Sequence, residues 1–277
     1  MRRMSQSATT ARLTSRALVR VGGADWRTFL QGLLSQDVET LEDGEVRFAA
    51  LLNPQGKLLF DLFLIGRVDG CLLDVAADRR EDLVRRLTMY RLRAKVEIAA
   101  DEGGVFALWP TNPIEKGWAP DPRLSALGLR GYGVAPPASA HEADEAAYDA
   151  WRLSFGVPDP AKDCPFEGDY PIEANFDLLS GIDFQKGCFV GQETTSRMKR
   201  RGLIKSRMVG LVYHGESPAF GAEILAGDLR AGEVRTASSG KAMALVRLDR
   251  IDGATLTVGG QPVQVLTPGY MTTGRET

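Results

Sequence analysis

The chain has 277 residues, of which 44% are hydrophobic and 25% are charged, so it is long enough to bury one substantial core or two to three small ones. Its 34 Lys and Arg residues nearly balance 36 Asp and Glu residues, and the formal net charge of −2 excludes a strongly basic or strongly acidic protein. No apolar run approaches the roughly 18 residues of a membrane-spanning helix, so we predict no membrane association.

The cysteines and histidines are few and scattered along the chain. Cys71, Cys164 and Cys188 form no C-x-x-C pair, and the histidines are His141 and His214. This spacing indicates neither a disulfide framework nor a zinc site. We therefore predict reduced thiols and no permanently bound metal.

The N-terminal 24 residues contain five arginines, and the first acid is Asp25. This composition is typical of a mitochondrial transit peptide. However, the apolar pattern from Leu13 to Val21 already predicts a strand of the fold, which leaves only about ten residues for a leader. We predict a short tail on a cytoplasmic, bacterial-type protein, with the mitochondrial matrix as the alternative if the tail is a transit peptide.

The first half of the chain alternates helical and strand patterns. Apolar residues at helical spacing from Trp26 to Leu34 predict a helix with Asp25 as its N-cap. Strands are predicted at 46–52 and 58–65, joined as a hairpin through the Asn53–Gly56 turn. A further strand at 71–75, a helix from about residue 78 and strands at 96–98 and 105–109 favour a ferredoxin-like α+β unit.

The second half changes character after residue 206. A helix is predicted at 143–155, and the proline-containing segment 156–173 reads as irregular. Five short strands separated by glycine turns then favour a small barrel or sandwich. They are predicted at 208–213, 232–236, 242–248, 254–258 and 261–266.

The segment Lys186-Gly187-Cys188-Phe189-Val190-Gly191-Gln192-Glu193 carries the clearest chemical signal. The two glycines permit unusual backbone conformations and let a ligand approach the main chain closely. The residues alone leave two interpretations open: an accessible thiol on a loop, which the flanking glycines suggest, and a free cysteine that fills a gap in a turn.

Several groups near the thiol bear on its reactivity. A cation at Lys186 or Arg197 would lower the pKa of Cys188 and favour the reactive thiolate. Gln192 and Glu193 add an amide and a carboxylate beside it.

This segment resembles the signature of the YgfZ family, K-G-C-[FY]-x-G-Q-E, at every specified position. Three other segments resemble the family's N-terminal helix, its first hairpin turn and the stretch upstream of the cysteine: Phe29–Leu34 with Asp37-Val38, Asn53–Lys57 and Pro171–Asn175. The resemblance begins near Arg12 and covers essentially the whole chain. The chain is identified as a member of the YgfZ branch of the aminomethyltransferase-like superfamily, which is similar to the glycine cleavage T-protein.

The resemblance implies a three-domain α+β fold around a central folate-binding opening. Residues 1–52 with 141–205 are then a discontinuous N-terminal T-protein-like domain, 53–140 an inserted ferredoxin-like domain, and 206–277 a C-terminal small β-barrel. It further implies that Arg12–Leu52 and Ala143–Phe184 pack together.

The function implied by the resemblance is support of iron–sulfur cluster assembly or repair in client proteins. Cys188 is the functional thiol of that expectation, and tetrahydrofolate or a derivative is the cofactor, with Phe48, Asp61, Glu173 and Arg197 as contacts. The expected partners are client or assembly proteins, and the chain is expected to be a monomer. A lone thiol cannot hold a cluster that several thiolates normally bind, so any ligation is shared with a partner.

Two departures from the T-protein count against the competing function, a folate-dependent one-carbon transferase. Phe60 stands where the T-protein hairpin carries one of its paired aspartates, and Ser154 replaces the acid of its L-R-L-E-A-G segment. Neither side chain can act as a general base. Aminomethyl transfer is therefore not expected, although folate binding is.

A basic segment follows the motif, and no acid occurs between Thr194 and Gly215. Its cations are Arg197, Lys199, Arg200, Arg201, Lys205 and Arg207. Three interpretations stay open: a solvated face, attraction of the folate tail, or contact with RNA phosphates in a tRNA-modification role.

Overall fold

The computed structural model describes residues 8–110, 116–202 and 204–272. The first ten strands are β1 Thr9–Arg12, β2 Arg16–Gly22, β3 Val46–Leu52, β4 Leu58–Arg67, β5 Gly70–Ala76, β6 Glu97–Asp101, β7 Val105–Trp109, β8 Trp118–Pro120, β9 Leu129–Tyr132 and β10 His141–Ala143. The helices among and after them are α1 Trp26–Gln31, α2 Arg80–Arg91, α3 Glu145–Ser154, α4 Pro160–Asp163 and α5 Gln192–Arg201. The C-terminal part contains β11 Ser206–Val212, β12 Glu223–Ala226, β13 Leu229–Ser238, β14 Lys241–Arg247, α6 Leu248–Ile251, β15 Leu256–Val258, β16 Gln261–Leu266 and α7 Gly269–Thr272.

The first sheet has the strand order β3-β4-β5-β2-β6, and its paired strands are antiparallel. Strand β4, next to the edge strand β3, is apolar on both faces because both faces are covered. Leu62 and Leu64 belong to the core that includes α1 and α2, whereas Phe63 and Ile65 belong to the core on the opposite face. This double burial explains why β4 reads as a nearly continuous apolar run.

The second sheet has the order β10-β1-β7-β9-β8, in which β1 pairs in parallel with β10 and antiparallel with β7. The largest core lies against both sheets and includes Phe48 of the N-terminal segment together with Tyr148, Phe176 and Phe189. The expected packing of the N-terminal segment against residues beyond 143 is therefore confirmed.

The predicted boundaries of the inserted domain need correction. The boundary at 52/53 divides the β3–β4 hairpin, in which Val46 pairs with Ile65 and Leu51 with Phe60. The ferredoxin-like feature is present, because α2 connects β5 to β6 with β2 between them. It spans residues 16–101 instead of 53–140, because strand pairing recruits β2 from the N-terminal segment.

The predicted C-terminal β-barrel is confirmed, and it is closed in the order β11-β14-β13-β12-β15-β16. The sequence analysis missed β12, whose four residues contain a single fully buried apolar side chain, Ile224. The register also shifts between Ile224 and Leu225, and such an irregularity weakens an alternating pattern.

Two local findings complete the fold. The prediction that the Asp25 side chain caps α1 is wrong. The side chain accepts a hydrogen bond from the main-chain N–H of Lys95 at 2.7 Å instead. The Arg-rich N-terminal stretch is folded from Thr9 onward as β1 and β2, and its first seven residues lie outside the described part. In the described residues, no helix is long and apolar enough to cross a membrane.

A buried network of ion pairs connects the two sheets. Arg16 of β2 donates to Asp61 of β4 at 2.8 Å and to Asp74 of β5 at 2.6 Å. Asp74 also accepts a hydrogen bond from Arg130 of β9, in the second sheet, at 2.7 Å. Burial alone would lower the pKa of Arg16, but the carboxylates of Asp61 and Asp74 outweigh it and raise that pKa.

We expect Arg16→Met to lower the free energy of unfolding by about 3–5 kcal/mol, because it leaves the buried carboxylate of Asp61 without its cation and takes from Asp74 one of its two cations. Urea unfolding followed by circular dichroism measures the change. Arg20→Met is the matched control: Arg20 is exposed in the same strand, and its loss is expected to matter by about 0.5 kcal/mol or less. Equal small losses in both variants would contradict a stabilising role of the network.

Candidate functional site

The segment Lys186–Glu193 forms a loop that leads into α5. Cys188 is exposed, whereas Lys186 and Phe189 on either side are buried at 9% and 7% exposure. Phe189 packs into the core between the sheets, and Val190 packs against the core that contains α1 and α2. The predicted exposure of the thiol is confirmed, and it follows from the anchoring of its neighbours.

Lys186 holds the loop to the turn that follows α1. Its ammonium donates to the main-chain oxygens of Gln31, Leu34 and Gln36 at 2.8, 2.7 and 2.9 Å. Burial lowers the pKa of Lys186 to about 8. All three acceptors are main-chain carbonyls. Lys186 therefore fixes the position of the segment Lys186–Glu193, which we call the thiol loop. The sequence analysis had considered it only as an activator of the thiol.

Gly191 is required by a close approach of the chain to itself. Its φ is +81°, and a methyl group added there would lie 2.7 Å from the carbonyl oxygen of Asn53 and 2.9 Å from the Leu52 Cβ. Gly56, in the hairpin turn between β3 and β4, faces it: a methyl group there would lie 2.8 Å from the Thr194 Cβ. The expected close approach is therefore made by the hairpin turn, and not by a ligand.

Gly187 behaves differently from Gly191. Its φ is not positive, and a methyl group added there would meet no atom within 4 Å. Neither steric reason for a glycine applies at this position. The sequence analysis had treated the two glycines alike.

Gln192 and Glu193 occupy the first turn of α5, a helix that was not predicted. The segment contains a single large apolar residue, Met198, so no apolar stripe indicates a helix. The helix is held by tertiary contacts instead: Thr195 is buried at 1% exposure, and Met198 packs against the main core. The carboxylate of Glu193 lies where the helix dipole favours a negative charge.

The predicted basic cluster divides into two parts. Arg197, Lys199, Arg200 and Lys205 are exposed, and none of them forms an ion pair with a described residue. Arg207 is buried and forms an ion pair with Asp177 at 2.7 Å, so it is part of the interior and not of this surface. The side chain of Arg201 lies outside the described part.

The four predicted folate contacts occupy different environments. Phe48 is 1% exposed, and its ring stacks on that of Phe176 at 4.5 Å, so it belongs to the core. Asp61 is buried beside Arg16, and burial raises its pKa. Glu173 is half-buried, and its carboxylate accepts a hydrogen bond from the main-chain N–H of Tyr170 at 2.9 Å. Arg197 is exposed on α5.

The centre between the two sheets does not fit a folate. The cavity there measures about 10 Å³ and is surrounded by charged and aromatic side chains, among them Arg16, Phe63, Arg123, Arg130 and Tyr148. Sites for molecules of drug size usually measure about 300–1,000 Å³. A separate cavity of about 230 Å³ is lined by Asp61, Phe60, Arg79 and Cys164. None of the other three predicted contacts lines it.

The two residues that depart from the T-protein pattern, Phe60 and Ser154, each contact a neighbouring group of the protein. Phe60 is 4% exposed, and its ring lies 4.7 Å from the Arg79 guanidinium. The Ser154 hydroxyl donates to the carbonyl of Trp151 at 2.6 Å within α3. Neither position supplies a carboxylate.

Comparison with known proteins agrees with this architecture. Residues 205–273 match the family described as "CAF17, C-terminal beta-barrel domain". Over 95% of its length the chain also superposes on the glycine cleavage system aminomethyltransferase T of Bartonella henselae, with a TM-score of 0.76 and coverage of 86% of that chain. At 18% sequence identity, this likeness establishes the fold alone.

Curated relatives extend the match to the motif-bearing region. A protein of Mycosarcoma maydis named "Iron-sulfur cluster assembly factor IBA57 homolog, mitochondrial" is 32% identical over 229 residues, covering 74% of this chain and 57% of the relative. The mouse protein "Iron-sulfur cluster assembly factor IBA57, mitochondrial" is 29% identical over 285 residues, covering 88% and 79%. The chain thus spans little more than half the length of its fungal relatives.

The chain has an aminomethyltransferase-like fold and carries an exposed motif cysteine on a loop. The chain is similar to IBA57 and CAF17 proteins, and this similarity confirms the family resemblance found in its sequence. The relatives carry mitochondrial names, which correspond to the alternative localisation; the cytoplasmic prediction finds no support among them.

We expect Gly191→Ala to lower the free energy of unfolding by about 1–3 kcal/mol, because alanine is strained at this φ and its methyl group meets main-chain atoms. Gly187→Ala is the matched control in the same loop and is expected to change stability by about 0.5 kcal/mol or less. Thermal unfolding of the two variants compares them. If both are equally stable, the contact between Gly191 and the hairpin turn does not constrain the loop.

Proposed function

We propose that this protein is an iron–sulfur cluster assembly factor in which Cys188 supplies a thiolate to a cluster in transit. The observation that carries the proposal is the loop itself: an exposed thiol lies between two buried anchors, Lys186 and Phe189. A solvent-facing cysteine on a fixed loop suits ligand exchange, because a partner can reach the sulfur while its position is held. The names of the mouse and fungal relatives support the same process.

The cluster is cargo in this proposal, and it is held jointly. Iron–sulfur clusters are bound by several thiolates, and Cys188 is one. Among the described residues, no group of three or more His, Cys, Asp and Glu side chains comes together in a way that would hold a metal ion. The remaining ligands therefore come from the assembly or client protein that docks at the loop. Cys188 contributes one iron–sulfur bond and releases it when the cluster moves on.

Aminomethyl transfer is not part of the proposal. The carboxylates expected for it are replaced at Phe60 and Ser154, and the remaining Asp61 is bound to Arg16. A general base cannot be assigned there.

We expect Cys188→Ser to abolish support of iron–sulfur enzymes in cells that contain only this variant, because serine offers no accessible thiolate at neutral pH. Its free energy of unfolding should change by about 0.5 kcal/mol or less, since the side chain is exposed. The activities of client iron–sulfur enzymes in cell extracts are the measurement. Maleimide labelling of the native protein should modify Cys188 ahead of Cys71, which is buried.

Cys164→Ser and Cys71→Ser are the controls for this experiment. Cys164 is half-buried, and its serine variant should keep both function and most of the stability. Cys71 lies in β5 with burial raising its pKa to about 12, so Cys71→Ser should lower stability without a specific loss of function. A Cys188→Ser protein that fully supports client enzymes would refute the thiolate role.

Tetrahydrofolate binding stays a prediction from the resemblance, and no step of the proposal passes through it. Calorimetry with tetrahydrofolate tests it, because a ligand that binds the native state raises the melting temperature as its concentration rises. If Asp61→Asn abolishes that rise, the site is the 230 Å³ cavity that Asp61 lines. The absence of both heat and a melting shift would remove folate from the account.

A further inference from the structure

The exposed face of α5 next to the thiol loop carries cations without acidic partners. Arg197, Lys199 and Arg200 lie on the helix, and Lys205 follows it. At about 1.5 Å of rise per residue, Arg197 and Arg200 lie about 8 and 12 Å along the axis from the helix start. These distances are comparable to the Debye length of about 10 Å at 0.1 M salt, so the charges act on molecules that approach the start of α5, which directly follows the segment that carries Cys188. We call these four residues the basic face.

A solvated charge run is the simplest alternative, and neighbouring parts of the protein show what one looks like. On α2, the guanidinium of Arg85 contacts Asp82. In the barrel, Arg230 contacts Glu233 at 2.7 Å. On the basic face no cation forms an ion pair with a described acid: the chain carries no acid from Thr194 to Gly215, and Glu193, one turn before Arg197 on α5, is not paired with it. The positive charge is therefore left for another molecule.

The acids nearest the other side of the loop do not neutralise this charge. The Asp183 carboxylate accepts hydrogen bonds from the main chain of Gln185 and Lys186. The Asp37 carboxylate is bound to Arg47 at 3.2 Å. One cation of the basic face also contacts an aromatic ring. The Lys199 ammonium lies 3.7 Å from the centre of the ring of Phe184, a residue that comes just before the thiol loop in sequence.

We propose that the basic face is the docking surface for the protein that shares the cluster, and that this partner presents acidic side chains around its own cysteine ligands. The inference rests on the proposed function, because only a partner whose sulfur reaches Cys188 needs to be guided to this spot. Opposite charges favour encounter and orientation, and they act most strongly at low salt. RNA would also be attracted to such a face, but no exposed aromatic side chain lies on α5 on which a base could stack.

Thiol–disulfide exchange at Cys188 tests the proposal directly. The probes are three peptides, each with one cysteine activated as a mixed disulfide with thionitrobenzoate, and flanked by glutamates, glutamines or lysines. The Cys188 thiolate attacks the peptide sulfur, the new disulfide forms and thionitrobenzoate leaves with the electron pair. Its absorbance gives the rate, and Cys188→Ser provides the blank.

At about 20 mM salt we expect the glutamate peptide to react at least about tenfold faster than the glutamine peptide, and the lysine peptide to react slowest. At about 500 mM salt the rates should converge. Arg197→Glu with Arg200→Glu should abolish the difference between the charged peptides, because the two new acids offset Lys199 and Lys205. Arg85→Glu with Arg93→Glu makes the same charge change at two exposed positions, one on α2 and one just after it. This control should leave the order of the peptide rates unchanged.

The outcomes separate the proposals. If the Glu variant does not fold, Arg197→Gln with Arg200→Gln should weaken the preference for the glutamate peptide, because only Lys199 and Lys205 remain charged. Equal rates for all three peptides, or a preference that these variants leave unchanged, would overturn the basic face as an acidic docking surface. Binding of tRNA that the variants abolish, together with equal peptide rates, would assign the face to RNA. None of these results depends on whether Cys188→Ser cells lose iron–sulfur enzymes, so the thiolate role is judged separately.

Discussion

The two sheets meet around buried charges, and this constraint organises the rest of the N-terminal fold. Arg16 is reached by carboxylates from two strands of its own sheet, and Asp74 passes the connection to Arg130 in the other sheet. Buried charges are tolerated only when each is paired, so the strands that carry them must hold a fixed register. The Arg130 guanidinium also lies 3.8 Å from the centre of the Phe63 ring, so the same network fills the space between the sheets. The filled centre leaves a cavity of about 10 Å³ between the sheets.

The motif cysteine, by contrast, lies at the surface of the described structure. The thiol loop is held at one end by Lys186, through three carbonyls of the turn after α1, and at the other by Gly191 against the hairpin turn of β3 and β4. Both contacts are made with the first sheet and its helices, so the position of the loop is set by these elements. The sulfur is exposed on a fixed support, with a positively charged helix beside it. That arrangement suits a ligand that is shared with a docking protein better than a self-contained catalytic site.

Much of the fold could be predicted from patterns that depend on near neighbours in sequence. The β3–β4 hairpin and α3 follow from apolar runs bounded by turn residues, and the thiol loop follows from its motif. The elements that were not predicted depend on contacts between residues far apart in sequence. α5 has no apolar stripe and is held by Thr195 and Met198 in tertiary contacts, and β12 offers one fully buried apolar side chain. The inserted-domain boundary was wrong because β2 joins strands far along the chain, which local patterns do not record.

The sequence by itself determined the family resemblance, the barrel and the position of the motif cysteine, because a motif and its alternating patterns are local properties of the chain. Only the tertiary structure decided what each motif residue does. Gly187 and Gly191 are the same residue, yet one faces open space and the other the backbone of residue 53. Lys186 and Arg197 are both cations, yet one is anchored to carbonyls and the other faces solvent. Those differences arise from contacts between segments more than 100 residues apart, which exist only once the chain has folded.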